Sequence, residues 1–285
     1  MTVMHKQQEQ QALAAGQIPD DLGLLPGTFI MPYGKNRPSW TSETRKRWEM
    51  EKERWKTRFM DFYALFSLRY WVIRPRPRLE PLKLPRLART LHQTMYSHFA
   101  AGNLDAIAPK LCPGLLSSLR NRIASRPPKT FQRWTLHRYL SSPSLVSMRT
   151  TLIPGTKDET RWTRNGVVQA VVRIHSVQSL QSVKRVNYTE KGVKLSKDVM
   201  VDSTGREIAG APAPEVEAAS ERRAKEVVEY FVLQSVIRRS KLAPWMVWGT
   251  AEEMTVQKLE ALDGKRRPKK ERGRQEDEER KGLLG

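Results

Sequence analysis

A chain of 285 residues has room for one sizeable domain with extensions or for two small domains. Its 51 Lys and Arg against 30 Asp and Glu give a formal charge of +21, which attracts polyanions such as nucleic acid or an anionic membrane surface. The single cysteine, Cys112, excludes an internal disulfide and a Cys-rich zinc module, and no stretch reaches the roughly 18 to 20 apolar residues of a membrane span; the nearest, Asp61 to Ile73, carries Asp61 and Arg69.

Residues 1–40 are rich in Gln, Pro and Gly, and PGTFIMPYGKNRPSW places turn formers every few residues without a lasting period, which predicts an extended arm. Within it Phe29, Ile30, Met31, Tyr33 and Trp40 call for a covering surface. The first thirty residues show neither an apolar signal core nor the Arg-rich, acid-poor bias of a presequence, so an imported protein would have lost its presequence before this point.

From Thr41 to about Tyr70, Trp48, Trp55, Phe59, Phe62 and Phe66 recur at spacings of seven, four, three and four, which lines them on one face of a helix capped by Ser39, Thr41 or Ser42. The outer face is then expected to carry Arg45, Lys46, Arg47, Lys52, Arg54, Lys56 and Arg58, offset by Glu43, Glu49, Glu51 and Glu53. Prolines hold the following RPRPR of residues 74–78 extended, so Arg74, Arg76 and Arg78 form a stiff basic connector suited to phosphate or lipid headgroups.

RLARTLHQTMYSHFAA at 86–101 predicts a helix with Leu87, Leu91, Met95 and Phe99 on one side, stopped by Gly102 and Asn103. A short piece at 104–108 ends at Pro109, and a helix at 114–124 aligns Leu115, Leu116, Leu119 and Ile123 before the break at 126–128.

The period then falls to two. Phe131 to Leu140 and Leu145 to Ile153 read as a hairpin joined through Ser141, Ser142 and Pro143. Val167 to Val183 reads as the longest strand, with Val168, Ala170, Val172, Ile174 and Leu180 on a dry face and Gln169, Arg173, His175 and Gln181 on a wet one. A turn at 202–205 and the run AGAPAPEVEAAS mark a surface excursion before an apolar strand at 226–237. In the last strand Trp245 and Trp248 lie three apart, so one should enter the core and the other should look outward. From Gly264 onward the chain is a charged, low-complexity tail.

Helices followed by antiparallel strands predict an α+β domain in which a curved sheet packs on the helices as a cone. A cone-shaped enzyme needs Asp, Glu or His in its cavity, and the dry strand faces carry Val, Ile, Ala and Leu instead, so no catalytic residue and no cofactor are expected. His92 and His98 are off the i, i+4 spacing of a helical metal pair and read as satisfied histidines. Gly155, Thr156 and Lys157 lack the upstream glycine of a phosphate loop. Polyanion binding remains, since Arg120, Arg122, Arg126, Arg133, Arg138, Arg149, Arg161, Arg164, Lys184, Arg185, Arg238, Arg239 and Lys241 recur outside the dry positions.

RPPKTFQRWTLHRYLSSPSLVSMRT, NGVVQAVVRIHSVQSLQ, EVVEYFVLQSVIRR and PWMVWGT, in that order, resemble one family. It is that of the fungal mitochondrial inner-membrane ribosome receptor, whose animal counterpart is the large-subunit ribosomal protein numbered forty-five in the L series. The import-motor membrane anchor shares its domain, and the resemblance spans residues 84–255. It implies a nuclear-transport-factor-2-like cone over 84–262, from which an insertion at 187–220 departs; the arm (1–40), the basic helix with its connector (41–83) and the tail (263–285) are read from the residues themselves and lie outside the strong part of the resemblance. It further implies a matrix-side protein, peripheral to the inner membrane without a transmembrane span, near the polypeptide exit of the mitochondrial ribosome. The implied partners are ribosomal RNA, large-subunit proteins, the membrane surface and the insertion machinery.

The residues expected to touch RNA or membrane are Arg45, Lys46, Arg47, Arg54, Arg58, Arg74, Arg76, Arg78, Arg120, Arg122, Arg126, Arg238, Arg239 and Lys241, with Trp245 and Trp248 facing core or partner. One alternative is the import-motor anchor itself, which should carry a long charged N-terminal half. The other is a cone-fold enzyme, which a polar, ligand-sized pocket would favour.

Overall fold

The computed structural model describes residues 23–74, 76–127, 130–153, 165–190, 193–200, 223–238, 240–259 and 261, with backbone alone for 35, 185–190 and 193–198. The arm before residue 23, the loop at 155–157, Arg161, Arg164, the turn and Ala/Pro run of the insertion, and the tail from Gly264 lie outside the described residues.

The chain is α+β. Helices α1 (Thr44–Ser67), α2 (Leu84–Ala101) and α3 (Pro113–Ala124) precede strands β1 (Thr130–Ile153), β2 (Asn165–Glu190), β3 (Val193–Met200), β4 (Lys225–Arg238), β5 (Lys241–Leu242) and β6 (Met246–Ala251). The strands form one open six-stranded sheet in the order β1-β2-β4-β5, with β3 also paired to β2 and β6 to β4. All of these strand pairs are antiparallel.

The chain divides into two compact units, one of Met1–Pro26 with Asp61–Ala251 and one of Gly27–Met60 with Glu252–Gly285. In the first, α2 buries Leu84, Ala88, Leu91, His92, Met95 and Phe99 along one stripe, as three- and four-residue spacing requires. Proline opens this helix, and Gly102, at φ 78°, ends it: its N–H and that of Asn103 reach back to Phe99 and His98. The stripe joins Val168, Ala170, Val172 and Ile174 of β2, Phe231, Leu233 and Ile237 of β4, and Val247 of β6 in one core.

Three strand expectations are corrected. The predicted hairpin at 141–143 is instead the middle of one continuous strand, because β1 pairs with β2 along its whole length, and register shifts between Leu136 and Ser147 absorb the serines and Pro143. The wet face of β2 is dry: Gln169, His175 and Gln181 are buried, while Leu180, placed on the dry face, is 51% exposed. The Gln169 amide explains part of this, since its oxygen accepts from Leu25 N (2.8 Å) and its nitrogen donates to Gly23 O (2.6 Å) and Gln234 Oε1 (2.8 Å), so the arm covers that face. Neither tryptophan of the last strand is fully buried or fully exposed. Val247 is the residue that enters the core, Trp245 packs at the core's edge, and a bulge opposite Val232 and Leu233 takes up Trp248.

The second unit has its own small core of Phe29, Met50 and Leu259, joined by Met31, Met254 and Val256. Ile30 O accepts from Met254 N at 2.9 Å, and Glu253 accepts from Tyr33 N and Asn36 Nδ2, so the later part of the arm is covered by this chain's own residues 252–259.

Candidate functional site

Helix α1 turns its aromatic face outward, where Arg45, Lys46, Lys52, Lys56 and Arg58 are exposed as expected. Met50, Thr57, Asp61 and Leu68 are buried, together with Arg47 at 4% exposure, whereas Trp48, Trp55 (67%), Phe59, Phe62 (67%), Tyr63 and Phe66 face outward. The seven-residue spacing correctly places the aromatics on one face; that face is the outer one. In the first unit Asp61 accepts from Ser147 Oγ (3.0 Å) and pairs with Arg149 Nε (3.2 Å), which turns Phe62, Tyr63 and Phe66 away from the core.

After Ser67 the helix widens into a π turn, Leu68–Val72, closed by Ile73 N donating to Leu68 O at 3.2 Å. The extra residue in this turn brings Tyr70 and Trp71 beside Phe66, at ring-centroid separations of 4.7 and 5.5 Å, and Phe62 lies 6.1 Å from Phe66 on the other side. The guanidinium carbons of Arg69 and Arg76 lie 5.7 and 5.1 Å from the Tyr70 ring centroid. The result is an exposed aromatic patch edged by cations, continued by exposed Arg74 and Arg78 and anchored by buried Ile73, Pro77 and Leu79.

The other candidate cations separate into structural and exposed groups. Arg47 (2.9 Å), Arg54 (3.1 Å) and Arg37 (2.6 Å) converge on Glu51, so Arg47 and Arg54 hold the second unit together and do not form an outer face. Burial pushes the Glu51 carboxyl up, but bonds from Arg37 and Arg54 outweigh it and hold it below the usual range. Arg126 donates to the carbonyls of Phe99 (2.7 Å) and Ala100 (3.2 Å), capping the C-terminal end of α2. Arg120 pairs with Asp105 at 2.8 Å on the surface, while Arg45, Lys46, Arg58, Arg122, Arg238 and Lys241 are exposed. Arg239 lies outside the described residues.

A buried polar cluster was missed by the sequence reading. His92, fully buried, and Tyr96 lie one turn apart on the dry face of α2 and meet Glu229 of β4. Because an ionised carboxylate only accepts, His92 Nε2 donates to it at 2.9 Å, Gln178 Nε2 donates at 2.9 Å, and the Tyr96 hydroxyl donates to its other oxygen. Trp134 Nε1 in turn donates to Gln178 Oε1 at 2.9 Å. Burial alone would push the Glu229 carboxyl up, but bonds from His92, Tyr96 and Gln178 hold it below its usual range; burial and the neighbouring carboxylate push the Tyr96 phenol up. Both groups are therefore moved away from neutral pH, the reverse of what proton exchange in catalysis requires. The signals were a glutamate inside an apolar strand, and a histidine and a tyrosine at i, i+4 on an apolar stripe.

Beside this cluster lies a cavity of about 620 Å³ in the first unit, between α2, α3, β1, β2 and the start of β4. Among the described residues no group of three or more His, Cys, Asp or Glu side chains could hold a metal ion, and no helix is long and apolar enough to cross a membrane. Compared with known proteins, the chain matches no protein-family model and no curated protein.

Proposed function

We propose that this protein is a structural, non-catalytic component of the mitochondrial ribosomal large subunit near the polypeptide exit, where it binds ribosomal RNA and holds the ribosome against the inner membrane during membrane-protein insertion. The observation that carries this reading is the exposed patch of Phe62, Tyr63, Phe66, Tyr70 and Trp71 edged by Arg69, Arg74, Arg76 and Arg78. Aromatic rings with cationic neighbours suit the headgroup layer of an anionic bilayer, where the rings bury apolar area and each arginine near the surface adds about 1 kcal/mol.

Arg76, over the Tyr70 ring, keeps the connector beside the aromatic patch, which supports giving it to the membrane contact. The RNA contacts then fall to exposed Arg45, Lys46, Arg58, Arg238 and Lys241. The finer fold we propose is the nuclear-transport-factor-2-like cone, which the register shifts along β1 and the lie of α2 against the sheet support.

Sedimentation from detergent-lysed mitochondria through sucrose gradients at low and high salt tests the reading. Co-migration with the large subunit, weakening as salt rises, is the expected result; migration with import-motor chaperones and absence from ribosomes would overturn it.

A further inference from the structure

The cavity beside the buried polar cluster is walled by Phe99, Trp134, Leu180 and Val227, with Arg122, Arg223 and Lys225 also lining it. We infer that it binds one anionic single-chain amphiphile, with the chain against the apolar wall and the anionic head among the three cations. This goes beyond the ribosome reading and does not depend on it.

Three observations converge. The polar atoms of the wall are already used: the indole N–H of Trp134 and the amide of Gln178 bond each other, and that amide also bonds Glu229. The wall therefore presents ring faces, with Trp134 stacked on Tyr96 at 5.3 Å, and has no free amide edge to read a nucleobase. Leu180 stays half exposed at the cavity although it lies on the longest strand, leaving apolar area that a chain would cover. Among the described residues none of Arg122, Arg223 and Lys225 forms a salt bridge, so three cations line one cavity, while the Glu229 carboxylate behind its wall is held by donors of its own. The volume, about 620 Å³, lies in the range of small-molecule pockets, which hold one chain and its head group.

The test is calorimetric titration of the full chain, below micelle concentrations, with laurate, dodecyl phosphate, dodecanol, inorganic phosphate and a nucleoside monophosphate. Saturable binding of laurate or dodecyl phosphate at one per chain is expected, with dodecanol at least about tenfold weaker and the two chainless anions weaker still. The stronger of laurate and dodecyl phosphate identifies the head group as carboxylate or phosphate. The surface variant R122Q/R223Q/K225Q should weaken binding about tenfold or more at unchanged Tm, and Val227→Trp, checked for folding by circular dichroism, should block the chain. Equal affinity for dodecanol, tighter binding of the nucleotide, an unaffected triple variant, or no saturable binding would each overturn the inference.

Discussion

Glu229 holds its charge in a site nearly closed to water because three side chains donate to it, and removing the charge leaves those donors facing a neutral amide. Since its folded carboxyl titrates below the ordinary value of 4.5, the stability it contributes is complete above that value and is lost as pH falls through the folded one. Asp61 acts with the opposite sign: burial pushes its carboxyl up despite Arg149 and Ser147, so its cost is present at neutral pH and is relieved on acidification. Glu229→Gln is expected to destabilise by about 2 kcal/mol at neutral pH, with the gap to the parent narrowing under acid. Melting curves at neutral pH and near pH 3.5 check this, and an equal gap at both would assign the loss to packing. In the sequence, His92 and Tyr96 were visible as a pair on a dry stripe, but Glu229, 137 residues beyond His92, could be joined to them only by folding.

Helix α1 carries the clearest lesson at the scale of an element. Its seven-residue aromatic repeat was legible, and so was its approximate extent, Thr41 to Tyr70 against the observed Thr44–Ser67 and its π turn. Its orientation was not, because Met50, Thr57, Asp61 and Leu68 form a weaker-looking stripe on the opposite side that nevertheless packs inward. The buried Arg47 of that stripe is paired with Glu51, and Arg149 offsets part of the cost of burying Asp61. Because the aromatics are exposed, F62S/F66S/W71S should change stability by no more than about 0.5 kcal/mol per site. The same variant should lose most of its flotation with vesicles containing anionic lipid. Collapse of the fold would show that the patch belongs to the core, and unchanged flotation would remove it from the membrane contact.

For the whole molecule, a charge of +21 attracts polyanions, and the structure sorts its carriers. Arg47, Arg54 and Arg126 are tied to internal acceptors, while Arg74, Arg76 and Arg78 stand exposed beside the aromatic patch. R74Q/R76Q/R78Q should therefore weaken binding to anionic vesicles by about 3 kcal/mol, roughly a hundredfold, while leaving large-subunit co-migration in detergent intact. Loss of that co-migration, with vesicle binding retained, would reassign the connector to RNA.

Short-range rules account for the part of the fold that was legible before any tertiary contact. The α+β succession, the stop of α2 at Gly102, the dry stripe of that helix and the span of β4 all follow from periodicity, left-handed glycine and turn residues within a few positions of each other. Folding decided which side of α1 is inside and that β2 is covered on both faces. A period defines faces but is silent about direction, and direction depends on a partner far along the chain: Gly23 and Leu25 over Gln169, Arg149 beside Asp61, and β2 along the full length of β1. Pairing with β2 carried β1 straight through serines and a proline that locally signal a turn, because the antiparallel ladder outweighs the preference of three residues.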